Sequence, residues 1–274
     1  MANIVYMAKS AWTNLLDTIR SKASVSGTMT VSEATTAVEN IETGGGGDDS
    51  FDKLVEKTIT EAAGSASKIG RFTFAYCGSL VTASYPSASI IEASAFFSCS
   101  KLISVYAPSV KTIQSNAFSA CVSLSDVNVN SVETIQSYAF AGCSKLENID
   151  TSNVINAGNY AFQNCWKLQK ISLPLVYSIA SYMFSGCTLL SEIYLQSAST
   201  IKTGAFTSCG SLYSVYLMST SVLSLMANAF GNTPIVSSKN GVYGSIFVPA
   251  SLYDQYISAS NWSSISDRIV SVAE

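Results

Sequence analysis

The chain has 274 residues, of which 48% are hydrophobic and only 12% charged, with a formal net charge of −3 and no histidine. The low charge, without a block of lysine or arginine, argues against binding to a nucleic-acid backbone. No apolar stretch reaches the roughly 18 residues of a membrane helix, and a Ser-His-Asp triad cannot form. The polar surface must be largely Ser, Thr, Asn and Tyr, which suits uncharged or sugar-like partners.

The N-terminal part differs in character from the rest of the chain. Residues 1–43 are predicted to form a helical attachment module with two amphipathic helices, over 12–22 and 31–41. The first residues lack the basic start, apolar core and cleavage site of a secretion signal, so no signal peptide is predicted in this chain. Residues 44–50, a glycine run followed by Asp-Asp-Ser, are predicted to be a flexible linker.

A repeat of 22 residues dominates the middle of the chain. Aligning Phe-x-x-Cys-x-x-Leu gives seven units without insertion, and a degraded eighth follows 24 residues later at Phe230, with Thr233 in place of Cys and Val236 in place of Leu. Such a period indicates stacked coils, because one unit cannot bury its own apolar face. The predicted interior columns are Phe96, Phe118, Phe140, Phe162, Phe184 and Phe206, and Cys99, Cys121, Cys143, Cys165, Cys187 and Cys209.

Each unit reads as a short helical segment followed by a strand. The spacing of Ile, Ala-Phe, Cys and Leu is helical and predicts one or two turns of α- or 3-10 helix. The run from Leu to Val alternates with period two and predicts a short strand with one buried face. The expected fold is an α/β repeat solenoid, a right-handed leucine-rich-repeat array with a parallel sheet on one face. Residues 51–68 are predicted to cap its start, 69–236 to form the array, and 237–274 to cap its end.

The repeat resembles the BspA-like (Treponema pallidum-type) leucine-rich repeat family. Segments 135–149 (IQSYAFAGCSKLENI) and 179–193 (IASYMFSGCTLLSEI) carry the resemblance. It implies a parallel-sheet solenoid used for recognition on bacterial surfaces or by phages. The pattern LLDTIRSK…GTMTVSEATTAVENI in residues 1–43 resembles a module of phage tail-associated proteins, and 237–274 resembles the usual end of these arrays.

The cysteine column admits three interpretations. A metal array would need clustered thiolates, usually as CxxC pairs, which the sequence lacks. A chain of disulfides conflicts with the odd count of seven and with equivalent positions that all face the same way. Buried reduced thiols that act as small apolar fillers are therefore favoured, and no metal or cofactor is predicted.

The solvent face of the sheet is the favoured binding surface, with the loops and the opposite edge as alternatives. Two outward columns vary from unit to unit while the core positions do not, as expected of a recognition surface on a rigid scaffold. A further column, Tyr138, Tyr160 and Tyr182, is attributed to stabilisation of the stack, although it could also cradle a sugar. The candidate ligand-binding residues are Tyr106, Asp126, Asn128, Asn148, Asp150, Lys170, Glu192, Tyr194 and Tyr216.

These features favour a non-catalytic protein for recognition or adhesion. The carboxylates of the chain lie in scattered coils of the predicted solenoid, so no catalytic pair is brought together. The leading hypothesis is a phage tail- or fibre-associated protein that binds a host-surface glycan or protein and attaches to other tail or surface proteins through residues 1–43. A bacterial cell-surface adhesin and an intracellular protein-binding scaffold are the alternatives. A virion or cell-surface location and a possible homo-oligomer are expected, without nucleic acid or membrane insertion.

Overall fold

The computed structural model describes residues 60–273, which stack as about ten coils of parallel strands. The predicted repeat solenoid with its period of 22 residues is confirmed. The predicted helices in residues 1–43, the linker 44–50 and the first part of the predicted cap 51–68 lie outside the described residues. Among the residues that are described, no helix has the length and apolar character needed to span a bilayer.

The first ladder of strands contains the Leu-to-Val segments of the repeat. In its three-residue strands the middle residue is buried and the two flanking residues point outward. Val105, for example, is buried between Ser104 and Tyr106. We call the outward side of this ladder the front face. Its strands are β1 (Glu61–Ala63), β3 (Thr82–Ser84), β5 (Ser104–Tyr106), β7 (Asp126–Asn128), β10 (Lys170–Ser172), β12 (Glu192–Leu195), β14 (Ser214–Leu217), β16 (Ser245–Pro249) and β17 (Ile269–Val272).

A second ladder of two-residue strands lies on another side of the coil, where the sequence predicted no sheet. It contains the isoleucines that recur five residues before Phe in the repeat, such as Ile113, which pairs with Ile135. From the sequence alone, these isoleucines are predicted to lie in the helical segment. Isoleucine suits a short strand because its branched side chain packs well against equivalent neighbours. The strands are β2 (Lys68–Ile69), β4 (Ile90–Ile91), β6 (Thr112–Ile113), β8 (Thr134–Ile135), β9 (Asn156–Ala157), β11 (Ser178–Ile179), β13 (Thr200–Ile201) and β15 (Ser224–Leu225).

The third side, around Phe and Cys, consists of turns, so the predicted α- or 3-10 helical turns were wrong. Two positions in every coil, two residues before and two residues after Phe, have a left-handed backbone, which ends any helix within one turn. N–H groups alternate between isolated turn bonds within the coil, as from Phe97 to the Ser94 carbonyl at 3.1 Å, and bonds to the next coil, as from Phe96 to the Ala117 carbonyl at 2.8 Å. The left-handed residues are Phe72, Ser94, Asn116, Tyr138, Tyr160, Tyr182, Gly204 and Asn228, and Tyr76, Ser98, Ala120, Gly142, Asn164, Gly186, Ser208 and Asn232.

Replacing a strained corner residue by glycine should stabilise the array. Ala120 has φ +62°, and the equivalent position in the next coil is Gly142. Ala120→Gly should raise the free energy of unfolding by about 1 kcal/mol, because glycine adopts the left-handed region without a Cβ clash. Urea denaturation checks this, with Ala93→Gly as the control: Ala93 is not left-handed, and glycine there should destabilise. A loss of stability in Ala120→Gly would contradict the prediction.

The interior is a column of stacked phenylalanines flanked by a column of cysteines. From Phe74 to Phe230 the ring centroids of successive coils lie 5.1–5.5 Å apart, with interplanar angles of at most 16°. All seven cysteines are buried and none forms a disulfide within the described residues. They are more than fillers, since six of them donate from Sγ to the Phe carbonyl of the preceding coil at 2.9–3.2 Å, as Cys165 does to Phe140.

The last part of the array departs from the repeat. In the eighth unit Ile235 is buried and Val236 is 42% exposed, so the assignment of Val236 to the leucine position was wrong. Thr233, in place of Cys, donates to the Phe230 carbonyl of its own coil at 2.7 Å. The threonine hydroxyl has a shorter reach than the cysteine thiol, which donates to the preceding coil in the other units.

The C-terminal residues cover the end of the interior column. A 3-10 helix (Ala250–Leu252), helix α1 (Tyr253–Ser258) and a second 3-10 segment (Ser263–Arg268) precede β17. The Trp262 indole N–H donates to the Leu223 carbonyl at 2.8 Å, and the Tyr256 hydroxyl accepts from the Leu223 N–H at 3.2 Å. Both aromatic side chains are completely buried, which seals the last apolar layer from water.

The first ladder is interrupted between β7 and β10, and we call this interruption, at residues 147–150, the seam. Within 60–273 no backbone hydrogen bond joins these four residues to β7 or β10. In other coils the N–H two residues after the buried strand residue donates to the next coil, as Ala107 does to Asn128 at 2.9 Å. Here the buried Thr151 hydroxyl donates to the Ser172 carbonyl instead, at 2.6 Å. A side-chain donor has thus replaced the backbone donor.

Candidate binding face

The predicted candidate residues occupy two parallel columns on the front face. Strand register places Ser84, Tyr106 and Asn128 side by side, and Ser172, Tyr194 and Tyr216 likewise beyond the seam. Each column has one residue from every coil, because the strands pair without a shift. Asp126, Lys170 and Glu192 lie in the other column, and Asn148 and Asp150, which are exposed, lie in the seam.

The structure brings together an aromatic ladder that the sequence showed only in part. Tyr194 and Tyr216 stack with ring centroids 4.4 Å apart, and Tyr216 stacks on Phe247 at 4.7 Å. Phe247 was not among the predicted residues because it follows Tyr216 by 31 positions rather than 22. The signal was available, since Ile246 and Val248 alternate around Phe247 as the core residues of other strands do.

Tyr106 stands apart from this ladder. It is 48% exposed, and its neighbours in the column are Ser84 and Asn128, neither of which is aromatic. The structure therefore does not join Tyr106 with Tyr194 and Tyr216 in one site. Asn128 is half-buried, and its Oδ1 atom has no hydrogen-bond partner within the described residues.

Charged and polar groups surround the free end of the ladder. Lys170 and Glu192 form an ion pair across neighbouring strands, and the Tyr194 hydroxyl donates to Glu192 Oε2 at 3.3 Å. Loss of hydration at the Tyr194 hydroxyl, and secondarily the nearby Glu192 carboxylate, raise the pKa of Tyr194. The phenol therefore remains neutral and available as a hydrogen-bonding group at physiological pH.

A second tyrosine stack lies at a corner of the coil rather than on the front face. The rings of Tyr138, Tyr160 and Tyr182 stack at 4.6 and 5.0 Å. The Tyr182 ring lies over Gly204, where a Cβ would overlap it. The ring faces of this stack contact one another and, at Gly204, the backbone. This packing supports a role in stabilising the array.

Metal-binding clusters and accessible thiols are both absent from the described residues. Among residues 60–273 no group of three Cys, Asp or Glu side chains converges on a position that could hold a metal ion. The cysteine thiols are inaccessible, and burial raises the pKa of Cys187 to about 12. What remains is an extended sheet surface of exposed aromatic and hydroxyl groups on a rigid core.

Stacked parallel strands with a 22-residue unit and buried Phe, Cys and Leu columns define a leucine-rich repeat protein. The family model described as the BspA type leucine rich repeat region matches residues 47–146 and 111–237, so the chain belongs to this family. The family and fold are typically non-catalytic. A comparison with curated proteins gives no match.

One solved structure shares the fold of this chain, and two others are more distantly similar to it. The leucine-rich repeat protein of T. pallidum is 26% identical over 57% of this chain and 78% of its own, with a TM-score of 0.51. A leucine-rich repeat protein from Bacteroides ovatus is 19% identical over 73% of this chain and 65% of its own, with a TM-score of 0.46. A leucine rich cell surface protein from Faecalibacterium prausnitzii is 16% identical over 79% and 80%, with a TM-score of 0.33.

Proposed function

We propose that the protein is a non-catalytic recognition protein whose front face binds a hydroxyl-rich glycan on a cell surface. The observation that supports this most strongly is the stacked ladder of the exposed Tyr194 and the half-buried Tyr216 and Phe247. It lies next to the ion pair of Lys170 and Glu192. Rigid aromatic rings provide contact area at little conformational cost, and neighbouring polar groups orient a ligand. Membership of a repeat family with a binding role agrees with this proposal.

The chemistry of the face favours a sugar over an apolar or strongly charged partner. Serine, asparagine and tyrosine hydroxyl or amide groups dominate its two columns, and each can donate and accept hydrogen bonds. The C–H groups of a sugar ring pack against the electron-rich face of an aromatic ring, while the sugar hydroxyls reach the polar side chains. A nucleic acid would instead need a basic surface, which this face lacks.

Removing the two tyrosines should abolish binding without unfolding the array. In Tyr194→Ser/Tyr216→Ser the pleat is retained, because serine occupies the same column at Ser84 and Ser172. On a printed array of oligosaccharides we expect at least a tenfold loss of affinity, as stacking of one ring contributes about 1–3 kcal/mol. The melting temperature should change little, since a cross-strand pair contributes roughly 0.2–1 kcal/mol.

Tyr106→Ser is the matched control for this experiment. It makes the same chemical change in the same column, but at a residue without a stacked neighbour and on the other side of the seam. Binding should survive this substitution. If the double variant binds as tightly as the unchanged chain, the front-face proposal is wrong.

The N-terminal segment offers a means of displaying the solenoid. We propose that residues 1–43 attach it to a surface assembly, either a phage tail or fibre or a bacterial cell-surface complex. The support is the amphipathic character of this segment and its resemblance to a tail-associated module. Immunogold labelling with antibodies against the solenoid should decorate virions or cell surfaces. Label confined to the cell interior would favour an intracellular scaffold instead.

A further inference from the structure

Neither end of the aromatic ladder on the front face continues with a further ring, and at only one end is the next side chain too small to cover the ring face. Tyr216 has a ring on both sides, and Phe247 is followed in the column by Val270. Tyr194, at the other end, is 38% exposed and is followed by Ser172, whose side chain is too small to cover an aromatic ring. The inner rings can thus offer a ligand only their edges, whereas Tyr194 offers a face.

The seam lengthens the open space beyond Ser172. The next residue in the column, Asp150, belongs to the segment that makes no backbone bond to β10 within the described part of the chain. Asp150 accepts the Ser152 N–H at 3.0 Å, a local bond typical of a turn rather than of a strand. At about 4.8 Å per strand, the ring-free stretch from Tyr194 to Asp150 spans roughly 10 Å, enough for one sugar ring and its substituents.

Charge around this slot selects among sugars. In the two front columns, Glu192 lies on the strand of Tyr194, Asp150 lies at the far end of the slot, and Asp126 lies one coil beyond it across the seam. The single ammonium among them is that of Lys170. Lys170 is already paired with Glu192, so it offers little attraction to an anion. A sialic acid or sulfated residue would meet net negative charge, while neutral hydroxyls or an acetamido group would meet hydrogen-bond acceptors and donors.

We propose that the primary subsite of the protein is a slot floored by Ser172, between Tyr194 and Asp150, which holds one neutral pyranose ring stacked on the free face of Tyr194. The sugar takes the place that a further stacked aromatic ring would occupy in the ladder. Glu192 and Lys170 line one side, and Asp150 closes the far end. This inference rests on the proposed function, and it narrows the ligand to neutral glycans.

The decisive variant fills the slot at its floor and leaves Tyr194, Glu192, Lys170 and Asp150 in place. Ser172→Tyr should continue the ladder in register, because Ser172 is paired directly with Tyr194. The new ring would stack on Tyr194 and exclude the sugar, so binding to the full chain should fall at least tenfold while the melting temperature stays the same or rises. Ser84→Tyr, which adds the same ring beside Tyr106 in the other sheet, should leave binding unchanged.

The probe is an array of neutral hexose and N-acetylhexosamine oligosaccharides, each printed beside its sialylated or sulfated form. We expect binding to neutral members, and about tenfold weaker binding to their anionic forms. Preference for the anionic forms, or no binding to any neutral member, overturns the subsite proposal. If Ser172→Tyr binds normally while Tyr194→Ser/Tyr216→Ser does not, the slot is wrong but the front face stands; if both variants bind normally, both proposals fall.

Discussion

Raising the pH from 8 to about 10 should unfold this protein. Burial raises the pKa of Cys121, Cys143, Cys165, Cys187 and Cys209 in the folded chain, in the case of Cys187 to about 12. An exposed thiol in the unfolded chain ionises near pH 8.5. Above that pH the unfolded chain therefore releases protons that the folded chain retains.

The sign of the effect follows from linkage. Where the folded state binds more protons than the unfolded state, the free energy of unfolding falls as the pH rises. The stability contributed by the protonated thiols is fully present below about pH 8.5 and is lost progressively as the pH rises toward the raised pKa of each folded-state thiol, which is about 12 for Cys187. Each thiol contributes about 1.4 kcal/mol per pH unit, so five together contribute about 7 kcal/mol per unit. This is comparable to the whole stability of an ordinary domain, about 5–15 kcal/mol.

Urea denaturation followed by circular dichroism at pH 7, 8, 9 and 10 in the presence of reductant measures this slope. Removing one thiol, as in Cys165→Ala, should reduce the slope above pH 9 by about one fifth, although it also lowers stability at pH 7 because the bond to the Phe140 carbonyl is lost. Tyr85 and Tyr256, whose pKa burial raises to about 12, add to the effect only above about pH 10. A stability that is flat between pH 8 and 10 would contradict the burial of the thiols.

Deleting one ring of the interior column should be the most damaging single substitution. Phe162 is completely buried and stacks on Phe140 and Phe184 at 5.5 Å on each side. Phe162→Ala should cost about 3–5 kcal/mol, the sum of the lost transfer free energy and the cavity left between two coils. Phe97→Ala is the matched control, because Phe97 is only half-buried, lies outside the column and should cost much less.

Because Phe162 lies next to the seam, its removal should also change the number of unfolding transitions. The two front-face sheets on either side of the seam share no strand pairing, so the core column and the corner turns carry most of the coupling between them. Phe162→Ala should therefore split the unfolding transition into two, whereas Phe118→Ala, within an unbroken ladder, should shift a single transition. Calorimetry distinguishes these outcomes, and a single transition in Phe162→Ala would show that the seam does not weaken the coupling.

The parts of the fold that depend on side-chain type could be predicted from the sequence. Phe, Cys and Leu at constant spacing indicate the stacked core, because each needs an equivalent neighbour to be buried. The corner turns could not be predicted, since their left-handed positions hold residues such as Ala120 and Tyr160 instead of the glycine that usually marks such a backbone. Hydrogen bonds to the next coil hold these residues in that conformation, and they exist only after the coils have stacked.

The candidate site could likewise be predicted only in part. The outward columns follow from alternation along each strand, so Tyr194 and Tyr216 could be placed on one face from sequence alone. At the seam the Thr151 hydroxyl takes the place of a backbone N–H as hydrogen-bond donor. The local sequence pattern does not predict this exchange. Phe247 was not predicted because inserted residues before it break the 22-residue spacing. Its strand, β16, nevertheless pairs in register with β14.

Every corner in the array uses the same backbone geometry with different side chains, from glycine to tyrosine. At each corner the N–H groups of a coil donate to the following coil and its carbonyls accept from the preceding coil, in the same way at every step. Duplication of one whole unit would insert a new coil between existing ones without creating an unmatched surface. The length of such a protein, and with it the reach of its outer surface, is thus open to change by copying 22 codons at a time.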